Sequence, residues 1–514
     1  MEDNFMLSVI NTATLHGLDA VCVTVQTDIA RGLPSTEIVG HVDGIVRESR
    51  QRIRSAITNS GIPYPTGRIV ISMSPADIIK KGSILDLPAA MGILVSSGQV
   101  LSEDMDSCGF LGELGLDGHL HRVNGILASL TALQENGIRR AVVPYENRIE
   151  AGLVHGITVY GAHDLRQICR HFNMEEQMEP LEKTEFTEST DGFSTLDFAD
   201  VRGQETAKRA LVIAAAGGHG ILMTGSPSTG KTMLAERVPT IMPPMSYKEM
   251  LEVTGIYSSA GLLDDALPYI SRRPFRRPHH RITSAGLIGG GTSPKPGEVT
   301  LADRGVLFLD EFGEFNRGVV DSLRQPMESR QVVIARAGET FTYPADFLLV
   351  AASNPCRCGY YGDPGHQCRC TPREIEQYQN RISGPVLERI DLNLTLTPVT
   401  YDSLVSGESI SSEQMREQVC RARNIQAERF RRYRRITLNS QMNSSQCEQM
   451  LRLTDRERRF VEKIYESYKL NPRTLLKTLR VSRTIADLDG SDSVRVEHLQ
   501  EAICYRRTVV SSEI

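Results

Sequence analysis

Residues 220–232, Gly-Ile-Leu-Met-Thr-Gly-Ser-Pro-Ser-Thr-Gly-Lys-Thr, constrain the fold of this chain more than any other segment. A short apolar strand runs into the pattern GxxxxGK[ST], and a helix-forming stretch follows. Glycines allow the backbone N–H groups to close around a phosphate, Lys231 can reach the β- and γ-phosphates, and the Thr232 hydroxyl can hold Mg²⁺. A chance match would lack the flanking strand and helix. We therefore predict that ATP is bound by Gly225, Ser226, Pro227, Ser228, Thr229, Gly230, Lys231 and Thr232.

A second apolar strand, Val-Leu-Phe-Leu at 306–309, ends in two carboxylates. Asp310 is suited to hold Mg²⁺ through water, and Glu311 can orient and deprotonate the attacking water. The alternative, that both residues merely cap a strand, is disfavoured by the P-loop upstream. Strands of this kind separated by helical crossovers predict an α/β fold with a parallel sheet and helices on both faces.

Three further polar residues are candidates for catalysis. Asn354 follows a third apolar strand, where its amide can contact the γ-phosphate or the attacking water. Arg389 precedes a strand and can serve as an arginine finger in a neighbouring subunit; the alternative is an ion pair with Glu388 or Asp391. Arg473 opens a helix and can fold back on the nucleotide of its own chain, or it can belong to a solvated helix face.

Composition limits the possible partners and compartments. The chain has 514 residues and a formal net charge of −5, so it is not a polycation, and any contact with nucleic acid is local. No apolar run approaches the roughly 18 residues that span a bilayer. The acidic, polar N-terminus is unlike a signal peptide. We expect a cytoplasmic protein without membrane contacts.

The pattern of residue types divides the chain into four parts. Residues 1–172 alternate β-like runs with amphipathic helical stretches. Residues 173–196 are rich in Glu, Ser and Thr, and they predict an acidic flexible linker, with a functional tail as the alternative. Residues 197–400 hold the nucleotide motifs, and residues 401–514 are helical and rich in arginine.

Four of the ten cysteines cluster in one turn-rich loop as Cys-Arg-Cys pairs separated by nine residues. Four thiolates can converge on a tetrahedral Zn²⁺, although CxC is tighter than the usual CxxC. Free thiols or redox chemistry are the alternatives, and a reducing compartment disfavours structural disulfides. The predicted zinc ligands are Cys356, Cys358, Cys368 and Cys370.

A dense basic stretch, residues 272–281, lies between the two nucleotide motifs and precedes a glycine-rich run. Such a stretch suits a loop that follows a phosphate backbone, or it braces a subunit interface against acidic neighbours. Residues 331–343 alternate apolar and polar side chains around Ala-Gly-Glu and predict a β-hairpin. The predicted DNA contacts are Arg276, Arg277, His279, His280, Arg281, Arg330 and Arg336.

Several longer stretches, among them RPFRRPHHRITSAGLIGGG, PGEVTLADRGVLFLDEFGEF and NPCRCGYYGD, resemble the magnesium-chelatase-related ComM/YifB family of AAA+ ATPases. The resemblance covers nearly all of the chain. It implies an AAA+ P-loop NTPase with a C-terminal helical lid, a homo-hexamer, and DNA branch migration in recombination or natural transformation. It implies roles for Asn354 as sensor 1, Arg389 as finger and Arg473 as sensor 2, and it places the basic stretch and the hairpin at the ring's pore. Ser228 stands where the family usually has glycine.

The N-terminal part resembles the α+β Lon-protease-like domain of this family, of the ribosomal S5 domain 2-like kind. Active Lon domains pair a nucleophilic serine with a lysine. Ser83 is the only hydroxyl in the matching region, and no lysine lies near the expected position. We therefore expect no peptidase activity.

The sequence favours an ATP-hydrolysing motor on single-stranded or branched DNA. The alternatives are the ATPase subunit of a magnesium-chelatase-like complex, which would not need the N-terminal domain or the cysteine loop, and an ATP-dependent protease or unfoldase. The expected cofactors are ATP and Mg²⁺, with Zn²⁺ at the cysteine loop.

Overall fold

The computed structural model describes residues 6–506 except 102, 104, 186–195, 292–294, 337–338, 383, 400, 402–408 and 434–435. These residues form two compact units. The first contains the described residues up to 185 and also Tyr247–Ser271. The second contains the described residues 196–246 and those from Arg272 onward. No helix among the described residues combines the length and apolarity needed to cross a membrane.

The strands, in chain order, are β1 Ser8–His16, β2 Asp19–Ala30, β3 Ser35–Val39, β4 Arg68–Ser74, β5 Cys108–Phe110, β6 Glu113–Leu114, β7 Leu120–His121, β8 Arg140–Pro144, β9 Thr158–Ala162, β10 Ile221–Gly225, β11 Phe275–Arg276, β12 Gly289–Gly290, β13 Lys295–Pro296, β14 Val306–Leu309, β15 Gln331–Arg336, β16 Glu339–Pro344, β17 Leu348–Ser353 and β18 Leu392–Leu396.

The α-helices are α1 Gly44–Asn59, α2 Asp86–Ser96, α3 Ile126–Glu135, α4 Arg148–Gly152, α5 Leu165–Phe172, α6 Glu205–Gly217, α7 Lys231–Glu236, α8 Val238–Ile241, α9 Tyr247–Ala260, α10 Ser284–Ile288, α11 Glu298–Leu301, α12 Arg317–Ser322, α13 Arg324–Ser329, α14 Pro372–Gln379, α15 Gly384–Leu387, α16 Ser412–Phe430, α17 Ser444–Leu451, α18 Asp455–Ser467, α19 Pro472–Leu488 and α20 Val496–Cys504.

A seven-stranded mixed sheet, ordered β3-β4-β2-β1-β5-β8-β9, forms the first unit. β1 and β2 make a long antiparallel hairpin, and β5, β8 and β9 continue the sheet in parallel. Helices α2 and α3 pack against β1 and β2. All eleven residues of α2 are buried, as expected of a helix that is apolar on every side.

Helix α9 belongs to the first unit although it lies between the two nucleotide motifs in the sequence. Met250 on this helix is fully buried in the core of the first unit, and the Tyr247 hydroxyl donates to the Leu153 carbonyl at 2.6 Å. The continuous core predicted for residues 197–400 is therefore interrupted by Tyr247–Ser271. Burial of the apolar side of α9 explains the difference.

The predicted flexible linker also differs from the structure in its first half. The Leu181 N–H donates to the Val159 carbonyl of β9 at 2.7 Å, and Met178 is buried. The Lys183 ammonium donates to two carbonyls of the first unit at 2.9 Å each. Two apolar side chains and these hydrogen bonds hold the chain up to residue 185 against the first unit despite its acidic composition. Residues 186–195 lie outside the described residues.

The second unit contains a five-stranded parallel sheet ordered β11-β14-β17-β10-β18. Every residue of β14 and β17 is buried, as in parallel sheets covered by helices on both faces. The predicted α/β fold with a parallel sheet and C-terminal helices is confirmed. Because the strands are parallel, the loops after β10, β14 and β17 leave from one edge of the sheet.

An ion cluster centred on Asp391 connects the C-terminal helices to this sheet. Its carboxylate lies 2.8 Å from the Lys477 ammonium of α19 and 3.1 Å from His219 Nδ1, which precedes β10. His219 Nε2 in turn lies 2.8 Å from the Thr484 hydroxyl of α19. Burial alone would raise the pKa of Asp391, but Lys477, His219 and Arg506 outweigh it and hold that pKa well below its usual range.

Replacing Asp391 by Asn tests this cluster. The substitution leaves the Lys477 charge buried without its counter-ion, so we expect the second unit to lose about 3–5 kcal/mol of unfolding free energy. Glu417→Gln is the control, because Glu417 and Arg421 are exposed and 4.0 Å apart, and such a pair contributes at most about 1 kcal/mol. Differential scanning calorimetry measures both variants, and equal shifts of the unfolding transition would contradict the role of Asp391.

Candidate functional site

The P-loop, residues 225–232, leaves the carboxyl end of β10 and turns into α7. A Cβ on Gly225 would lie 2.9 Å from the Leu396 carbonyl oxygen of β18, so this position accepts only glycine. Gly230 has φ +86°, and Ser228 has φ +65°. A left-handed backbone costs an L-residue about 1–2 kcal/mol, which explains why glycine is usual at the position of Ser228.

Lys231 points back into the loop. Its ammonium donates to the carbonyls of Gly225 at 2.7 Å and Ser226 at 2.8 Å. Burial lowers its pKa, and the nearby Asp310 opposes that shift. The amine is thus fixed at the centre of the loop, where the phosphates of a bound nucleotide would meet it.

The two carboxylates after β14 lie beside the P-loop, as predicted. Thr232 donates its hydroxyl to Asp310 at 3.2 Å, which brings the two proposed Mg²⁺ ligands together. The Arg277 guanidinium also donates to Asp310, at 2.6 Å, and His280 Nδ1 lies 3.1 Å from the Glu311 carboxylate. The pairing of the acidic residues with the basic stretch was not predicted from the sequence.

Asn354 lies at the same edge of the sheet. The register pairs Thr224 of β10 with Ser353 of β17, so Gly225 and Asn354 leave the two strands side by side. This position suits a residue that contacts the γ-phosphate or the attacking water, and the sensor role of Asn354 stays a prediction.

The two arginines predicted to be catalytic lie at the opposite edge. Arg389 precedes β18, whose first residue Leu392 pairs with Ile221 at the start of β10. Arg389 and Arg473 both contact Glu328, at 2.7 Å and 3.4 Å. The expectation that Arg473 folds back on the nucleotide of its own chain is therefore corrected, because the length of the sheet separates Arg473 from the P-loop.

These arginines line a cavity of about 540 Å³ at the amino end of the sheet. Its charged lining residues are predominantly basic: Arg330, Arg389, Arg473, Lys477 and Arg480, against Glu328 and Asp391. Glu328, on α13, was not predicted, since nothing in its sequence context marks it.

The other predicted DNA contacts differ in their surroundings: some form ion pairs and others are exposed. Arg276 makes a bidentate ion pair with Glu298 at 2.6 and 2.9 Å, and Arg330 lies 3.3 Å from Asp346 at the base of the β15–β16 hairpin. Both arginines are therefore paired with carboxylates of their own chain, and their contact with DNA stays a prediction. The side chain of Arg336 lies outside the described residues. His279 and Arg281 are exposed.

The four clustered cysteines converge. The three closest Sγ pairs are 3.4, 3.6 and 3.7 Å apart, and all four sulfur atoms lie within 4.8 Å of one another. Backbone N–H groups of Tyr360 and Arg369 lower the pKa of Cys358 to about 6, which favours its thiolate. The donor set and the spacing fit a tetrahedral metal such as zinc.

A cavity of about 890 Å³ lies between the P-loop and the cysteine loop. One side consists of residues 227–230, and residues 200–204 contribute a second side. Tyr360 and residues 363–366 of the cysteine loop form a third side. Its volume falls in the range of cofactor pockets, and its position next to the P-loop suits the base and ribose of a nucleotide.

In the first unit, the Ser83 hydroxyl donates to the Glu113 carboxylate. The Lys80 ammonium is buried without a hydrogen-bond partner among the described residues. Ser83 therefore bonds to an acid where a Lon-type nucleophile would contact a lysine amine. The expected absence of peptidase activity stays a prediction.

Three family descriptions match this chain. "Magnesium chelatase, subunit ChlI" matches residues 197–404, "Subunit ChlI of Mg-chelatase" matches 25–147, and "Magnesium chelatase, subunit ChlI C-terminal" matches 409–506. Competence protein ComM of Haemophilus influenzae is 39% identical over 510 residues, 98% of each chain. The chain belongs to the ComM/YifB family of magnesium-chelatase-related AAA+ proteins.

Two other relatives match very different shares of this chain. The uncharacterized protein YifB of Escherichia coli is also 39% identical, over 97% of each chain. The magnesium-chelatase 67 kDa subunit of Heliobacterium mobile is 29% identical over 33% of this chain and 29% of its own. AAA+ proteins of the magnesium-chelatase family are ATPases, so ComM/YifB membership supports binding of ATP and Mg²⁺ at the P-loop.

Arg277→Ala tests the contact between the basic stretch and Asp310. Mg²⁺ and the Arg277 guanidinium compete for the same carboxylate, so the variant should need about two- to five-fold less Mg²⁺ for half-maximal ATP hydrolysis, which corresponds to ~0.4–1 kcal/mol. Arg281→Ala removes a charge from the same stretch without a described contact to Asp310 and serves as the control. An unchanged Mg²⁺ requirement in Arg277→Ala, measured by steady-state ATPase assays without DNA, would refute the competition.

Proposed function

We propose that this chain is one subunit of a homo-hexameric ATPase that translocates on DNA and migrates branches, as a ComM-type protein of recombination or natural transformation. The positions of Arg389 and Arg473 carry the proposal. Both lie at the sheet edge opposite the P-loop of their own chain, so they can complete an ATP site only on a neighbouring copy.

Each interface of the ring would then combine two halves of an active site. One copy supplies the P-loop, Asp310 for Mg²⁺, Glu311 as the base that activates water, and Asn354 to orient it. The neighbouring copy supplies the two arginines, which stabilise the charge of the transferred phosphoryl group. Glu328 holds both arginines on one side of the basic cavity and keeps them together before they meet the phosphate.

DNA is the proposed polyanion in the ring. The β15–β16 hairpin forms a two-stranded sheet of its own, and Val333 is exposed on it while Val332 and Tyr343 are buried. His279 and Arg281 are exposed basic candidates of the basic stretch, and Arg277 is exposed as well but pairs with Asp310. The name of the Haemophilus relative, a competence protein, supports a role in DNA uptake or recombination.

Two other functions have less support. The two chelatase relatives match about a third of this chain at 27–29% identity, whereas the ComM relative matches nearly all of it at 39%. A Lon-type ATP-dependent protease needs a serine–lysine pair, whereas Ser83 contacts Glu113.

Mixed assemblies test the shared active site. Glu311→Gln should bind ATP and hydrolyse it at least about 10²-fold more slowly, because the water loses its base. Arg389→Ala and Arg473→Ala should each bind ATP and lose turnover, by about 10³-fold or more for the finger. Mixing Glu311→Gln with either arginine variant should restore hydrolysis, since some interfaces then pair an intact P-loop side with intact arginines. No recovery in the mixtures would contradict assembly of the site from two copies.

DNA dependence is tested by adding forked, single-stranded and duplex DNA to the ATPase assay. We expect branched or single-stranded DNA to stimulate hydrolysis, with an effect that weakens as salt rises. Arg281→Ala should reduce this stimulation more than Arg421→Ala, a control at an exposed arginine on α16. Stimulation by unfolded protein in place of DNA would favour the unfoldase alternative.

A further inference from the structure

We propose that Cys356, Cys358, Cys368 and Cys370 bind one zinc ion, and that this metal holds the cysteine loop as a wall of the nucleotide pocket, so that zinc and ATP bind cooperatively. The proposal rests on the proposed ATPase function, because it assigns a regulator to the same nucleotide site.

The geometry of the four sulfur atoms supports a metal in preference to disulfides. Zinc–thiolate bonds of about 2.3 Å in a tetrahedron place the sulfur atoms about 3.8 Å apart. The three closest pairs lie 3.4–3.7 Å apart, whereas a disulfide needs about 2.05 Å. All four cysteines are free in the structure.

The loop that carries the cysteines has no helix or strand to fix it. No α-helix or β-strand occurs between the end of β17 at Ser353 and the start of α14 at Pro372. Loops of this length without secondary structure are uncommon in compact units and are often functional. A metal bound near both ends would remove much of the conformational entropy that keeps such a loop mobile.

The chain between the two cysteine pairs lies on the P-loop. A Cβ on Gly359 would be 2.8 Å from Cδ of Pro227, so only glycine allows this approach. The Ser226 hydroxyl donates to the Asp363 carboxylate. The cysteine loop therefore contacts the two P-loop residues that precede Ser228.

The same segment faces the cavity beside the P-loop. Tyr360 and His366 both line it, and their rings lie 4.8 Å apart at 31°. Aromatic rings in this position can stack on the base of a nucleotide. Metal binding would hold these rings in place, and nucleotide binding would in turn hold the loop in its metal-binding form.

Linkage makes this coupling reciprocal: the factor by which zinc raises the affinity for ATP equals the factor by which ATP raises the affinity for zinc. Couplings of this kind range from about 5- to 150-fold, and we expect about tenfold. Asn354 lies two residues before Cys356, so the metal also fixes the start of the segment that carries this predicted sensor.

The test measures zinc content and nucleotide affinity separately on the full-length protein. Protein purified without chelator should contain one zinc per chain. A fluorescent ATP analogue should bind about tenfold more weakly after zinc is removed, and adding zinc back should restore its affinity. The double variant Cys368→Ser with Cys370→Ser should bind no zinc and show the weaker nucleotide affinity throughout. Cys504→Ser, at an exposed cysteine of α20, is the control and should match the wild type.

Substitutions at two adjacent tyrosines distinguish the effect of the pocket wall on nucleotide affinity from the effect of the metal. Tyr360→Ala should keep one zinc per chain and lose nucleotide affinity several-fold, because Tyr360 lines the cavity. Tyr361→Ala should change neither quantity, since Tyr361 is exposed and does not line it. Thermal unfolding of each variant verifies that it is folded.

Three results would overturn the proposal: wild-type protein without zinc, disulfides among these cysteines, or the same nucleotide affinity with and without zinc. In the last case nucleotide binding persists, so the proposed ATPase function would not be contradicted. Lys231→Ala should keep its zinc and lose the nucleotide. Wild-type protein that holds zinc but binds no nucleotide would contradict both proposals.

Discussion

The five strands of the second unit are parallel, so residues that follow a strand and residues that precede one lie at opposite edges of the sheet. The loops that follow β10, β14 and β17 meet at one edge of the sheet, and they bring together the P-loop, the two carboxylates and Asn354. Arg389, which precedes β18, necessarily lies at the other edge, and Glu328 keeps Arg473 beside it. The P-loop and the two arginines of one copy therefore lie at opposite edges of the sheet, and this separation is the physical basis for proposing a ring.

Charge pairing is the second constraint. In the structure, Asp310 contacts Arg277, Glu311 contacts His280, and Glu328 contacts both arginines of the opposite edge. ATP and Mg²⁺ would compete with these partners, because they bind the same charged groups. Arg277 and His280 contact the carboxylates of the nucleotide site, whereas His279 and Arg281 are exposed, so the basic residues divide into two groups.

The sequence predicts that the P-loop and the two carboxylates lie together at one edge of the sheet, because glycines in a P-loop and carboxylates at strand ends depend only on local spacing, and the structure has them there. It could not distinguish Arg277 and His280 from the neighbouring basic residues, since only the fold brings them to Asp310 and Glu311. Tyr247–Ser271 lie between the two nucleotide motifs in the sequence, so only the fold shows that α9 packs in the first unit. The acidic composition of residues 173–196 predicts a flexible linker, but Met178 and Leu181 suffice to anchor its first half, up to residue 185.

Activity per chain as a function of protein concentration tests the central claim most directly. Sedimentation velocity at each concentration identifies the monomer and the assembly, and steady-state ATP hydrolysis is measured in the same solutions. If the arginines of one copy complete the site of the next, hydrolysis per chain should fall towards zero where the protein is monomeric and rise with assembly. Constant hydrolysis per chain across the monomer range would contradict the account.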